Sequence, residues 1–334
     1  MVCTVSVGTD GGSGGAAGTG GAIAGTGGAV GTGGAVGTGG AAGTGGAPGT
    51  GGVTGSGGSD AGQEAGPEAP PPPDWPICTP PPTVVDLNVG LIAYLMLDDG
   101  GTNPAILDSS PNHLAPMLSG LPTGASWREG RFGSAISLAG GTDGGWITIG
   151  GGLISPPAID SIADGLSLSM WAKFPPGMPA DAVLLSRRVS NPKGYLYRIS
   201  ITKGRLRVQL HTENGTNADF TANRDLPTDG HWMHLAATYN DAGSGIEVYA
   251  NGDSFGRTGF GLQFPSELTA MVIGAEENAA APMPASTIDG RFTGAMDDVA
   301  VYNRALNAAQ VKALACGARP AIAMMRPGNL MVRP

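Results

Sequence analysis

The chain has 334 residues, of which 59 are Gly and 27 Pro, with a formal net charge of −9 and only 13% charged and 5% aromatic side chains. The acidic balance argues against nucleic acid, whose binders carry a clustered basic footprint. No apolar run approaches ~18 residues, so the sequence offers no transmembrane helix.

The first residues, Met1-Val-Cys-Thr-Val-Ser-Val7, are too short for a signal peptide and lack a basic n-region. A Cys followed by a Gly-rich tether is how many bacterial lipoproteins begin, although Val2 stands where a small residue is usual. Cys3 therefore has two readings, a lipid anchor and an incidental cysteine. Residues 1–65 are a Gly-rich spacer built on the unit Gly-Thr-Gly-Gly-Ala-x, which puts Gly at every third position from Gly25 to Gly58. Collagen needs that period and also Pro or hydroxyproline to pre-set the extended left-handed conformation. Pro48 is the only Pro between Gly8 and Ala65, and the ordering entropy of so much Gly is high. The reading is a flexible, uncharged, disordered spacer. Residues 66–82 form a stiffer linker containing Pro70-Pro-Pro-Pro73 and Pro80-Pro-Pro82. As a random coil, residues 1–76 would span about 50 Å root-mean-square.

Residues 83–316 alternate apolar and polar positions over short runs bounded by turn signals, and they are long enough for one all-β domain. Strands are expected at 91–97, 135–138, 145–149, 166–174, 231–239, 270–274 and 292–302. Tyr197, Ile199 and Ile201 point one way, Lys203-Gly204 turns the chain, and Leu206, Val208 and Leu210 resume the apolar face of a hairpin. Gly245-Ile-Glu-Val-Tyr-Ala-Asn-Gly252 is a further strand ending in the strongest short hairpin signal, Asn-Gly. Asn307-Ala-Ala-Gln310 resembles a capping box, Val311, Leu314 and Ala315 follow at helical spacing, and Gly317 marks a stop. A short helix is expected at about 308–315. Residues 317–334 show no period or motif and are expected to be a disordered tail.

The order of these segments resembles the laminin-G-like (concanavalin A-like) jelly-roll domains of bacterial surface proteins. Tyr94-Leu-Met-Leu-Asp98 with Asp108-Ser-Ser-Pro-Asn112 is similar to the family's opening pattern, and Gly130-Arg-Phe-Gly-Ser-Ala-Ile-Ser-Leu138 to its "G-K-F-G-x-A-L-x-F". Leu168-Ser-Met-Trp-Ala-Lys173, Gly230-His-Trp-Met-His-Leu-Ala-Ala-Thr-Tyr239 and Ile246-Glu-Val-Tyr-Ala-Asn-Gly252 follow in the family's order. The last match is Phe292-Thr-Gly-Ala-Met-Asp-Asp-Val-Ala-Val-Tyr-Asn-Arg-Ala-Leu306. The resemblance implies an all-β sandwich of two antiparallel sheets with a short C-terminal helix. It says little about function, because this fold carries sugar-binding, protein-binding, structural and enzymatic roles.

Jelly-roll glycosidases place their carboxylates on one strand as Glu-x-Asp-x-x-Glu, and hydrolysis needs two carboxylates at a set separation. No such run exists here. Glu276-Glu277 and Asp297-Asp298 are adjacent, so on regular strands each pair faces opposite sides. His231 and His234, three apart, cannot jointly grip a metal on one strand and are read with Trp232 as packing and strand-surface residues. The resemblance also implies a structural Ca²⁺ at one end of the sandwich, for which Asp108, Asn112, Asp297 and Asp298 are the oxygen-rich positions. The competing reading is an Asx-turn at Asp108 and a solvated Asp298. For sugar binding the aromatic candidates are Trp127, Trp146 and Tyr195, each of a kind more often found in core or rim than in a ligand site. Because the two ends of this fold meet, a Cys78–Cys316 disulfide is expected, which would place the chain in an oxidising compartment. Two reduced thiols, or Cys78 with Cys3, remain alternatives.

The main functional reading is a secreted or surface-tethered, non-enzymatic module that binds an extracellular glycan or protein. A self-associating envelope or matrix protein is the second reading, and a carbohydrate-active hydrolase or lyase with an unseen site the third.

Overall fold

The structure is a computed structural model describing residues 78, 85–100, 105–120, 124–150, 165–176, 181–189, 194–211, 217–227, 229–240, 245–259, 269–277 and 287–321. The Gly-rich repeat with Cys3, the Pro-rich linker apart from Cys78, and the tail from 322 onward lie outside these described residues. The chain divides into Met1–Glu68 and Ala69–Pro334, and all that follows concerns the second unit.

Seventeen strands and one helix are described. In chain order they are β1 (Leu91–Leu95), β2 (Pro116–Ser119), β3 (Ala125–Glu129), β4 (Ser134–Ala139), β5 (Trp146–Ile149) and β6 (Gly165–Lys173). Next come β7 (Asp181–Val189), β8 (Gly194–Thr202), β9 (Arg205–His211), β10 (Asn217–Thr221), β11 (Trp232–Asn240) and β12 (Gly245–Ala250). The last are β13 (Asp253–Thr258), β14 (Met271–Ile273), β15 (Glu276–Glu277), β16 (Ile288–Asp289) and β17 (Thr293–Tyr302), followed by α1 (Ala308–Ala315). An eight-stranded sheet runs β13-β12-β11-β6-β17-β4-β3, with β1 paired to β17 off this path, and a seven-stranded sheet runs β10-β9-β8-β7-β14-β5-β2. All pairings are antiparallel, which makes the two-sheet sandwich that the resemblance implies.

The core lies between the sheets. Leu168, Met170, Leu235, Ala237 and Val248 of the first sheet belong to one buried cluster with Leu185, Ile199, Val208 and Ile273 of the second. The two hairpins read from sequence form as expected. Lys203 and Gly204 sit at φ 50 and 76, and Asn251 and Gly252 at φ 53 and 79. Positive φ at both central residues is the signature of the type I′ turn, whose twist matches that of the strands. Phe220 of β10 lies against Gly256 of β13, where a Cβ would stand 2.9 Å from the ring, so these two sheet edges share one side of the sandwich.

The strands not foreseen have physical reasons for being hidden. β3 (Ala-Ser-Trp-Arg-Glu) and β13 (Asp-Ser-Phe-Gly-Arg-Thr) are polar edge strands with little alternation to read. β7 is buried along eight of its nine residues. Its outer face is covered, because Ser186 Oγ donates to the Ala275 carbonyl at 3.0 Å and Val183 N–H donates to the Gly290 carbonyl at 2.9 Å. A strand covered on both faces loses its period of two. That cover also buries Arg187, whose Nε donates to the Thr269 carbonyl at 3.1 Å.

Helix α1 begins with the full capping box: Gln310 N–H donates to Asn307 Oδ1 at 2.9 Å, and Asn307 N–H to Gln310 Oε1 at 3.1 Å. Val311 and Leu314 pack on Tyr94, Ala236, Tyr249, Ala300 and Tyr302, covering the outer face of the eight-stranded sheet. Cys316 caps the helix and forms a disulfide with Cys78, at a Cα–Cα distance of 5.6 Å. The expected disorder from 317 is corrected for its first residues. Gly317 to Ala321 are described, Pro320 is buried, and Arg319 is paired with two carboxylates.

Candidate functional site

Three regions compete for the site. One concavity is a groove of about 320 Å³ on the side shared by β10 and β13. One wall is the chain leading into β11 (Pro227, Asp229, His231, Trp232), and the other is the β12–β13 turn with Asn251, Asp253 and Phe255. Arg224, from the loop after β10, lies over the Phe255 ring at 4.0 Å and donates from Nη2 to the Ser254 carbonyl at 2.5 Å. Asp229 accepts the His231 N–H at 3.1 Å around Gly230, whose φ of 80 makes that turn possible. His231 Nδ1 also lies 3.2 Å from Asp229 Oδ1, and this contact with the backbone bond lowers the Asp229 carboxyl against the opposing effect of burial. Lys312 of α1 closes the far end, with Nζ 3.1 Å from Asp253 Oδ1. The groove thus joins an apolar floor to hydrogen-bonding groups of both kinds, which is the chemistry of a small-molecule site.

The aromatic residues singled out in the sequence do not build one platform. Trp127 is on β3, half-buried and packed against the core. Trp146 is on β5 with the Arg291 guanidinium over its ring at 4.9 Å. Tyr195 is on β8 beneath Arg198 at 5.0 Å, and burial, with the Glu276 carboxylate beside it, pushes its hydroxyl up to about 12. Glu276 in turn accepts from Arg198 Nε at 2.5 Å, while Glu277 faces Arg188 at 3.9 Å. Two adjacent glutamates thus serve two different arginines.

The four positions considered for Ca²⁺ do not converge. Asp108 Oδ1 accepts the Tyr94 and Ser110 N–H groups at 2.8 and 2.9 Å, and Oδ2 accepts Ser110 Oγ and Leu114 N–H at 2.7 and 2.8 Å. The Asx-turn reading describes it, and Asn112 Nδ2 adds a bond to the Ile92 carbonyl at 2.9 Å. Tyr94 separates this loop from the other pair, since its hydroxyl donates to Asp298 Oδ1 at 2.7 Å. Asp298 is not solvated: Arg319 Nε donates to its Oδ2 at 2.7 Å. Asp297 is fully buried, accepting the Phe132 N–H at 3.0 Å and the Asp298 N–H at 2.9 Å. Burial raises its carboxyl to about 7, with the Phe132 N–H opposing. The adjacent acids also escape strict alternation. A bulge in β17 between Asp297 and Ala300, with Asp298 at φ 46, turns both carboxylates toward Arg319 and Asp98. These oxygens are occupied by protein donors and a guanidinium, so the residues as arranged do not fit a cation, and no cluster of three or more His, Cys, Asp or Glu among the described residues is arranged to hold one.

His231 and His234 separate as their spacing requires. His234 is buried beside Trp171, with Nε2 2.9 Å from Ser169 Oγ, and desolvation lowers its imidazole to about 3. A depressed folded value means that the unfolded chain binds the proton first. The stability this imidazole confers is therefore complete above the unfolded value of about 6.5 and is lost as pH falls toward 3. His234→Gln, which keeps a donor for Ser169, is expected to be less acid-sensitive than wild type in urea unfolding between pH 7 and 4. The raised Asp297 carboxyl acts in the opposite sense but is common to both proteins. Parallel pH curves for the two would refute the assignment.

With these geometries in hand, a family model describing the concanavalin A-like lectin/glucanases superfamily matches residues 145–312. The chain belongs to this superfamily. The matched span carries the β5 to α1 order, including both groove walls. No curated protein matches the sequence. Among solved structures, the chain is similar to the receptor-binding domain of botulinum neurotoxin C/D mosaic serotype, at TM-score 0.50 and 15% identity over 68% of this chain and 51% of that one. It is also similar to the binding domain of Paraclostridial Mosquitocidal Protein 1, at TM-score 0.50 and 18% identity over 68% of this chain and 52% of that one. The chain spans about half the length of these structures, and at such identities the likeness is one of fold. The superfamily sequence patterns did not single out the groove. Its residues come from two separated stretches, 224–233 and 250–255, that meet only through strand pairing.

Proposed function

We propose that this protein is a non-enzymatic binding module, secreted or tethered at the cell surface, that engages an extracellular glycan or protein in the groove between Arg224 and Asp253. The groove's union of apolar floor and solvent-facing polar groups carries this reading. Pro227 and Phe255 offer apolar surface above the buried Trp232 and Met233, while the Asp229 and Asp253 carboxylates are exposed and the His231 ring is partly so. Hydroxyl groups both donate and accept, so such a mixture suits a saccharide. The two structural neighbours being binding domains supports the same reading, and the disulfide suits an oxidising compartment.

The test is a glycan array probed with the full chain and with a His231→Ala variant, alongside reducing-sugar release on a polysaccharide panel. Binding weakened at least about tenfold by the substitution, with an unchanged thermal midpoint and no sugar released, is the expected result. Binding indifferent to His231 would move the site elsewhere, and sugar release would restore the enzymatic reading.

A further inference from the structure

Resting on that reading, we infer that the groove selects saccharides bearing a carboxylate, with Arg224 as the specificity-determining residue. Of the two groove carboxylates, Asp253 has the Lys312 ammonium at 3.1 Å, and Asp229 has a His231 ring nitrogen at 3.2 Å, a contact that cancels charge only when the ring is protonated. Arg224 differs: its bond goes to a neutral carbonyl, Ser254 O, and no carboxylate of the described residues pairs with it. Among the described residues it is a groove cation without a carboxylate partner, within a chain of net charge −9.

Arg224 is also held in place. The Phe255 ring supports one face of the guanidinium at 4.0 Å and the Ser254 carbonyl fixes Nη2, leaving Nε and Nη1 without a partner among the described residues. A long side chain loses rotamer freedom on binding, and these two contacts leave this exposed one less to lose. A planar, oriented guanidinium with free N–H groups matches a carboxylate in shape and charge. The neighbouring acceptors on Asp229 and Asp253 then call for hydroxyl donors beside that carboxylate. One carboxylate among several hydroxyls is the composition of a uronic acid. The groove volume, at the low end of ligand sites, suits one or two sugar rings better than an extended acidic peptide.

The experiment uses uronic-acid oligosaccharides of several linkages, each paired with its carboxyl-reduced counterpart, which keeps the linkage and turns the carboxylate into a hydroxymethyl group. The full chain is titrated with each pair by calorimetry, in parallel with Arg224→Gln and Arg224→Lys. The expected result is at least about tenfold weaker binding on carboxyl reduction, a similar loss in Arg224→Gln, and partial recovery in Arg224→Lys. Arg224→Gln should no longer distinguish the two members of a pair. Equal affinity for both members, with binding still dependent on His231, would overturn the carboxylate selectivity and leave the binding reading intact. No binding to any saccharide would overturn both. Arg224-dependent binding of poly-glutamate with none to saccharide would overturn the saccharide class.

Discussion

Reducing the Cys78–Cys316 disulfide, or replacing both cysteines by Ser, is expected to lower stability by about 5 kcal/mol. The bond links residues 238 apart in sequence, so it encloses nearly the whole sandwich. On the chain-entropy account, cross-linking so long a loop removes much of the unfolded chain's freedom, and the native state gains by comparison. A second contribution is local. Cys316 is the C-cap of α1, and its N–H donates to the Lys312 and Ala313 carbonyls at 2.9 and 3.0 Å. Loosening that end releases Val311 and Leu314 from Tyr94 and Tyr249, and Lys312 from Asp253 in the groove wall. For a domain of this size the loss corresponds to a drop in melting midpoint of about 10–20 °C. Thermal unfolding with and without reductant measures it, and the double-Ser variant should behave like the reduced protein. Of the three cysteines, no more than one thiol per chain, that of Cys3, should react under unfolding, non-reducing conditions. Three reactive thiols, or a midpoint indifferent to reductant, would contradict the pairing.

Arg319→Ala should cost about 3 kcal/mol, the low end for removing one partner of a buried ion pair, because the guanidinium is 30% exposed. Arg319 spans two carboxylates, Asp298 through Nε at 2.7 Å and Asp98 through Nη1 at 3.1 Å, and lies over the Phe132 ring at 4.9 Å. Asp298 is only 9% exposed with the arginine in place, and removing it leaves that carboxylate without its cationic partner. Burial already raises the Asp298 carboxyl, and Arg319 is what opposes that rise. Removing the arginine lets the value climb further. A raised carboxyl favours the folded state only while protonated, so the penalty should be largest at neutral pH and shrink as pH falls toward the unfolded value of about 3.8. Arg319→Lys should recover only part, since an ammonium cannot reproduce the two-armed bridge. Because these oxygens are already engaged, adding millimolar Ca²⁺ or chelator to the wild-type protein should leave the midpoint unmoved. A rise of several degrees with Ca²⁺ would show a cation displacing the guanidinium. A penalty for Arg319→Ala that does not vary with pH would show that the arginine acts through packing alone.

Much of the architecture was legible along the chain because it rests on local rules. Alternation gave β8 and β9, Lys203-Gly204 and Asn251-Gly252 gave their turns, and Asn307 with Gln310 gave the helix cap. Each depends on residues within a few positions of one another. The acids show where local rules stop. Regular alternation would send Asp297 and Asp298 to opposite faces, but a single bulge, held by Tyr94, Phe132 and Arg319 from distant segments, brings them together. Arg319 itself lay in a stretch without pattern, and nothing in its neighbours announces two carboxylate partners.

What the sequence determined by itself was the all-β class and the closing helix, because hydrophobic period, turn chemistry and capping are set within short windows; the candidate Cys78–Cys316 pair came from the family resemblance, in which the two ends meet. Only the tertiary structure decided which polar groups are already satisfied. Asp108 is filled by four protein donors, Trp146 is covered by Arg291, and Arg224 is held at a groove with no carboxylate partner among the described residues. Whether a polar side chain retains bonding capacity for a ligand depends on what the fold brings beside it, and those neighbours come from strands far apart in the chain.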